Sequence, residues 1–261
     1  MKSVIIIPAL NEQDAIGGVV RGVKHQVDRV IVVDNGSSDR TAERAIEAGA
    51  DVVVAQPAGY GRACLAGVAA APEADLLIFM DGDGADDPSD LESLITPIRI
   101  RDVDFVVGSR ALGNVQRGAL TLTQRWGNAL ATSLMKVFWG GSFSDLGPFR
   151  AIERKAYERL NMQAPTFGWT VEMQVRALKL GLKCHEVPVS YRRRIGVSKI
   201  SGTIKGVIFA GAYILGTIFK EALLGHRTVR GRLNASSYAG VGRAGLYSQN
   251  SLPQLCVAPE D

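Results

Sequence analysis

Short apolar runs recurring at a near-constant interval constrain the fold of this chain more than any other feature. Val4 to Ile7 is the first, Val30 to Val33 the second, Asp51 to Ala55 the third and Leu76 to Met80 the fourth. They recur about every 25 residues, and a polar turn and a helical pattern separate each from the next. Strand, polar turn and helix in repetition predict an α/β fold, a mostly parallel sheet with helices on both faces. In such sheets a ligand sits beyond the carboxyl ends of the strands. All four polar turns fall there: Pro8-Ala9-Leu10-Asn11-Glu12, Asp34-Asn35-Gly36-Ser37-Ser38-Asp39, Gly59-Tyr60-Gly61-Arg62, and the turn after Met80. In the second turn Gly36 and Ser37 supply turn chemistry, and Ser38 or Asp39 can cap a helix starting near Thr41.

The fourth turn carries the most chemistry. Asp81-Gly82-Asp83-Gly84-Ala85-Asp86-Asp87 places four carboxylates within seven residues. Carboxylates packed that closely repel one another and do not all stay ionised without a counter-charge. A hard divalent cation, Mg²⁺ or Mn²⁺, answers that need, because it takes oxygen ligands and keeps positions open for phosphate. A bare Asp-x-Asp is equally the sequence of a solvated acidic turn. Acids in three of the four turns (Glu12, Asp34 with Asp39, and the Asp81 group) favour the metal-bridged diphosphate.

Taken in order, these turns resemble the motif series of the family 2 glycosyltransferases, enzymes of the GT-A (Rossmann-like) fold that use nucleotide-diphosphate sugars. Later motifs narrow the resemblance: Gly108-Ser109-Arg110, Asp145-Leu146-Gly147-Pro148-Phe149-Arg150, Val187-Pro188-Val189 with Tyr191-Arg192-Arg193-Arg194, and Gly196-Val197-Ser198-Lys199. They are similar to the dolichol-phosphate mannosyltransferase and polyprenyl-phosphate glucosyltransferase branch. The resemblance covers roughly residues 3 to 220. One position departs from it. Members of the branch often carry Gln two residues after the second Asp, in the metal shell, and here that residue is Ala85. Asp86, Asp87 or water is then left to complete the shell.

The resemblance implies one GT-A domain over 1–224, with a nucleotide-sugar half at 1–110, an acceptor half at 111–203 and an interfacial amphipathic helix at 204–224. The small-residue stretch within 225–261 reads as a disordered tail. The implied reaction is inverting, metal-dependent transfer of a hexose from UDP-glucose or GDP-mannose to a polyprenyl or dolichyl phosphate. Asp34 is expected to recognise the base, with Pro8, Asn11, Glu12, Gly36, Gly61 and Gly82 shaping the nucleotide-sugar pocket. Asp81 and Asp83 are the expected metal residues, Asp83 the direct ligand. The metal would neutralise charge on the departing nucleoside diphosphate.

A prenyl phosphate brings a second anion into that site, so fixed cations must offset the repulsion, and Arg suits bidentate phosphate contacts. Arg110, Arg125, Arg192, Ser198 and Lys199 are the acceptor-phosphate candidates, and two members of the Arg192-Arg193-Arg194 run read as a solvated loop. Asp145 and Arg150 are expected, with Asp83, to carry the chemistry. A phosphate oxygen is already anionic, so Asp145 is expected to orient; a sugar hydroxyl would require it as a base. Glu172 is a further pocket candidate.

Charge distribution supports an anionic partner for the C-terminal end. From Arg192 onward ten Lys/Arg face three acids, a net of +7, while the first 191 residues hold 20 against 23, a net of −3. Aromatic interleaving is thin and no nucleic-acid motif appears, so anionic lipid fits better than nucleic acid. Gly206 to Phe219 is uncharged between Lys205 and Lys220, shorter than the ~20 apolar residues that span a bilayer, and suits an interfacial helix, with an ordinary core helix or an oligomer contact as the alternative. A homo-oligomer is compatible with it. Met1-Lys2 runs straight into Ser3 to Pro8, too short for a leader's apolar region. Cys64, Cys184 and Cys256 make no metal spacing, and His25, His185 and His226 are isolated. The expected location is cytoplasmic, peripheral on the cytoplasmic face of the membrane or on a membrane partner protein. Two alternatives remain: a family 2 enzyme acting on a saccharide or other soluble acceptor, and a non-catalytic sugar-nucleotide-binding subunit. Gln124-Arg125-Trp126 has the letters of the processive-synthase motif without its spacing, which counts against the first.

Overall fold

The structure, a computed structural model, describes residues 1–100, 103–141, 143–196, 204–223 and 246–247, with backbone alone at 204–210 and 246–247. Each apolar run is a strand: β1 (Ser3–Ala9), β2 (Arg29–Asp34), β3 (Asp51–Val54) and β4 (Leu76–Phe79). Helices α1 (Ile16–Val23), α2 (Thr41–Ala48), α3 (Tyr60–Ala69) and α4 (Leu91–Arg99) follow them in turn. The N-cap of α2 is Arg40, which makes no side-chain cap bond, and Asp39, one residue earlier, accepts the Thr41 N–H at 3.0 Å. The second half adds β5 (Phe105–Ser109), α5 (Leu122–Trp139), β6 (Arg150–Glu153), α6 (Arg154–Leu160), α7 (Gly168–Lys179), β7 (Cys184–Pro188), α8 (Ile204–Leu223) and β8 (Leu246–Tyr247).

The strands form one mostly parallel sheet in the order β7-β5-β6-β4-β1-β2-β3-β8. β1 runs parallel to both β2 and β4, and β5 parallel to β7. Strand β6 is antiparallel between β4 and β5, and β8 is an antiparallel edge on β3. From β1 the chain winds outward through β2 and β3, then returns to lay β4 on the other side of β1. That reversal opens a crevice at the carboxyl ends of β1 and β4, where ligands of open α/β sheets bind.

Side chains along the strands alternate between two cores. Val4 and Ile6 of β1, with Leu77 and Phe79 of β4, pack toward α3, α6 and α7. Ile5, Ile7, Leu76 and Ile78 pack toward α1, α2 and α4. Both faces are therefore covered, as the continuous apolar runs require. α8 lies on α5 and α7, where Ile218 is fully buried and Glu221 receives Arg176 at 3.0 Å and Lys179 at 2.8 Å. No helix among the described residues is long and apolar enough to cross a membrane.

Candidate active site

A cavity of about 740 Å³ opens at the carboxyl ends of β1 and β4. Of the sequence-selected residues, Pro8, Glu12, Asp81, Gly82, Asp83 and Arg110 line it. Its lining joins the acids Glu12, Asp81 and Asp83 to an apolar set, Leu130 of α5, Ile214 and Leu215 of α8, Phe167 and Pro148.

The acid loop supplies Asp81 and Asp83. Tyr60, at the start of α3, donates its hydroxyl to Asp81 at 3.1 Å. Burial and the neighbouring Asp83 charge push the Asp81 carboxyl up to about 7. Asp86 is pushed well up by the same burial and by the Asp81 and Asp83 charges. Its Oδ1 is buried without a hydrogen-bond partner among the described residues. Asp87 faces elsewhere: it pairs with Arg192 and its Oδ1 accepts the Ser89 N–H at 3.1 Å. Ala85 is buried and contributes only backbone, its N–H to Asp83 Oδ1 at 2.9 Å and its carbonyl to the Arg192 N–H at 2.8 Å. Among the described residues no three His, Cys, Asp or Glu side chains converge as a ready-made metal cage. The donor set still fits Mg²⁺ or Mn²⁺. It is all oxygen, it is over-charged enough to hold protons, and these ions take one or two carboxylates with the rest from substrate phosphate and water. Asp81 and Asp83 would hold the ion, with Asp86 beside them.

Two turns, after β1 and β2, frame one side of the cavity without all reaching it. Asn11, at φ +53°, accepts the Ser38 N–H on its side chain at 2.8 Å and donates its own N–H to Ser37 at 2.9 Å. It ties the β1 turn to the β2 turn. Asp34 closes that second turn, Oδ1 accepting the Ser37 N–H at 2.9 Å. Asn35 follows it into the cavity lining and holds Gly59 by accepting its N–H at 2.7 Å. Gly36 has φ +90°, a left-handed turn position that favours glycine. Gly61 is fixed by packing: a Cβ there would lie 2.0 Å from the Ala164 carbonyl oxygen, so α3 meets the loop before α7 only through glycine.

The cations fall into three environments. Arg110 clamps Asp145, Nε to Oδ2 at 2.8 Å and Nη2 to Oδ1 at 2.7 Å, and stacks 5.0 Å over the Tyr191 ring. Asp145 is 2% exposed and does not line the cavity, which it reaches through Arg110. Glu186 and Gln174 fix the Asp145 loop from behind, Glu186 accepting the Ser144 N–H at 2.9 Å and Gln174 donating to the Asp145 carbonyl at 2.8 Å. Arg150 is fully buried, off the cavity, and donates to the carbonyls of Leu146, Gly147 and Thr170. Burial lowers its pKa to about 10. The structure thus places it behind the Asp145 loop as a strut. Arg125 is exposed on α5, next in sequence to the lining residues Thr123 and Gln124 but not itself in the lining. Arg192 sits on Asp87, with the Arg192 side chain 60% exposed. Glu172 is also off the cavity, accepting the Ala164 N–H at 2.8 Å and pairing with Arg176 at 2.8 Å. Ser198 and Lys199 lie outside the described residues.

Sequence reasoning passed over Arg194, Tyr60 and Tyr191. Arg194 reaches both Asp83 at 2.9 Å and Glu12 at 3.1 Å. Nothing in three consecutive arginines distinguishes this one; a strand-like segment alternates its side chains, and only its pairing with the acid loop decides which points inward. The backbone makes that pairing through Ile195 N–H to Asp83 O at 2.9 Å and the isolated bridge between Asp86 and Tyr191.

Residues 4–160 match the family model described as Glycosyl transferase family 2. A Haloferax volcanii protein named Glycosyltransferase AglJ is 32% identical over 73% of this chain, which spans 63% of that relative's length. Another protein of the same organism, named Dolichyl-phosphate hexose transferase, is 30% identical over 85% of this chain and 94% of its own length. Glucosyl-3-phosphoglycerate synthase from Mycobacterium tuberculosis, crystallised with Mn²⁺, UDP and glucosyl-3-phosphoglycerate, superposes with a TM-score of 0.68. It is 22% identical, with 85% of this chain and 80% of that one covered.

Proposed function

The chain belongs to glycosyl transferase family 2, and within that family we propose that it transfers a hexose from UDP-glucose or GDP-mannose to a polyprenyl or dolichyl phosphate, with inversion and with Mg²⁺ or Mn²⁺. The observation that carries this reading is the mixed lining of the cavity. Asp81 and Asp83 share it with apolar Leu130 of α5 and Ile214 and Leu215 of α8, and Arg110 and Arg194 are lining residues too. A nucleoside diphosphate suits the acidic residues and a prenyl chain the apolar ones, so the two reacting groups would meet beside the arginines. The dolichyl-phosphate relative supports the same acceptor class.

In this reading Asn35, on the turn that Asp34 closes, faces the base, and Pro8 shapes the ribose pocket. A divalent ion bound by Asp81 and Asp83 would neutralise charge on the departing diphosphate. Arg110, held flat by Asp145 and Tyr191, orients a phosphate oxygen of the acceptor toward the anomeric carbon. The new C–O bond forms on the face opposite the nucleotide while the sugar–diphosphate bond breaks, and its electron pair leaves with the diphosphate. Both Asp145 oxygens accept from Arg110, which supports an orienting role for this carboxylate over a proton-accepting one. Exposed Leu122 and Trp126 at the start of α5 and Tyr213 and Phe219 of α8 support docking at the cytoplasmic face of a membrane.

The test is direct. The full chain is mixed with Mn²⁺ and a short-chain prenyl phosphate, offered UDP-glucose and GDP-mannose separately, and assayed for a glycosyl prenyl phosphate by mass spectrometry. One donor is expected to give product. Transfer only to a soluble acceptor such as phosphoglycerate, with no lipid product from either donor, would overturn the acceptor assignment.

A further inference from the structure

Arg194 is placed where the acid loop most needs a cation. Its guanidinium meets Glu12 Oε1 at 3.1 Å and Asp83 Oδ2 at 2.9 Å, yet both contacts fall on one nitrogen, Nη2. Its Nε is buried without a partner among the described residues. A guanidinium bound to best advantage uses two parallel N–H groups on one carboxylate, as Arg110 does on Asp145. Arg194 is therefore held by charge rather than by geometry. Its backbone is fixed to the loop on either side, through Arg192 N–H to Ala85 O at 2.8 Å and Ile195 N–H to Asp83 O at 2.9 Å. Only the side chain, 29% exposed and on the cavity wall, is left to move.

We infer that Arg194 is an internal counter-cation that competes with the divalent ion for Asp83 and is handed over to the donor's diphosphate, so that ion and nucleotide bind cooperatively. This rests on the metal-dependent donor site proposed above. Two cations on one buried carboxylate repel, so an ion arriving at Asp83 displaces Arg194. The displaced guanidinium remains tethered beside the site and requires an anion. A diphosphate is that anion, and its binding favours the displaced rotamer. Each ligand thus lowers the cost of binding the other, and by linkage the effect is reciprocal. Arg194 is in this sense a positioning residue whose position depends on what is bound.

The measurement is Mn²⁺ affinity of the full chain by electron paramagnetic resonance, with and without saturating UDP, for the wild type, Arg194→Met and Arg194→Lys. In the wild type, UDP is expected to tighten Mn²⁺ binding by roughly tenfold or more, within the usual range of coupled sites. Arg194→Met is expected to bind Mn²⁺ alone at least about tenfold tighter than wild type, with UDP then adding clearly less than it adds in the wild type, because only direct phosphate ligation remains. Arg194→Lys, which keeps the charge, is expected to retain most of the coupling. If Arg194→Met binds Mn²⁺ no more tightly than wild type, Arg194 is a structural tie and the inference falls while the metal site stands. Absence of Mn²⁺ binding by all three proteins, even with UDP, overturns the metal site and the inference together. Should Arg194→Met not fold, Arg194→Gln removes the same charge with its donors kept and answers the same question.

Discussion

Two arginines stand on the wall of one cavity and are held in opposite ways. Arg110 makes a bidentate pair with Asp145, lies on Tyr191 and takes a third anchor from its own backbone N–H to Asp145 Oδ2 at 2.7 Å. Arg194 shares a single nitrogen between two acids. The first arrangement pairs both Asp145 oxygens and gains nothing by moving. The second resolves a charge excess in the simplest available way and yields when a better cation arrives. On the proposed function the site receives two anionic substrates, and such a site needs both kinds: a fixed donor that sets the geometry of attack, and an adjustable one that follows the charge as it comes and goes.

Removing the acid on which the adjustable arginine rests has the largest expected effect. Asp83→Ala should lower transfer by about a thousandfold or more, the scale of losing a group that stabilises developing charge. Its melting temperature should stay within a few degrees, since one crowded carboxylate is also relieved. An unfolded Asp83→Ala would mean that the acids serve structure instead. Asp145→Asn tests the fixed arginine. It breaks a buried bidentate pair and should cost on the order of 3 kcal/mol in denaturant unfolding. Transfer should fall at every pH; restored activity at high pH would reveal a base.

The raised Asp81 carboxyl gives a pH signature on the adjustable side. Its folded value of about 7 lies above the ordinary 3.8, so between those values the folded state holds a proton that the unfolded chain has released. Metal-free protein should therefore lose stability as pH rises from about 4 to 7, by up to about 4 kcal/mol, and level off above. Saturating Mn²⁺ should reverse the slope, because the ion binds the deprotonated form. A flat melting profile without metal would remove the crowding that the comparison depends on. The smallest effect belongs to Arg192→Ala. That arginine is exposed on Asp87, and its loss should shift stability by less than about 1 kcal/mol, screened further by salt.

The parallel sheet and the site at its carboxyl edge were legible because both are local properties. An apolar run of four or five residues buried on both faces has few alternatives to a central strand, and each polar turn follows its strand directly. Asp81, Asp83, Pro8 and Glu12 were found on that basis, and all line the cavity. What was not legible depended on pairing between distant segments. Arg150 reads as a cation beside an acid, yet its side chain turns under the loop to hold three carbonyls. Asp34 ends a strand at the correct edge, but its side chain closes its own turn, and Asn35 is the residue that enters the cavity.

The layering of the fold, the edge of the sheet at which the cavity opens and the excess of negative charge there follow from the order of residues alone, because hydrophobic periodicity and turn chemistry act over a few residues. Which arginine answers that charge is set by packing. Residues 191–195 reach the acid loop from more than a hundred positions away, and their register against Asp83 and Ala85 is set by backbone hydrogen bonds that carry no side-chain signature.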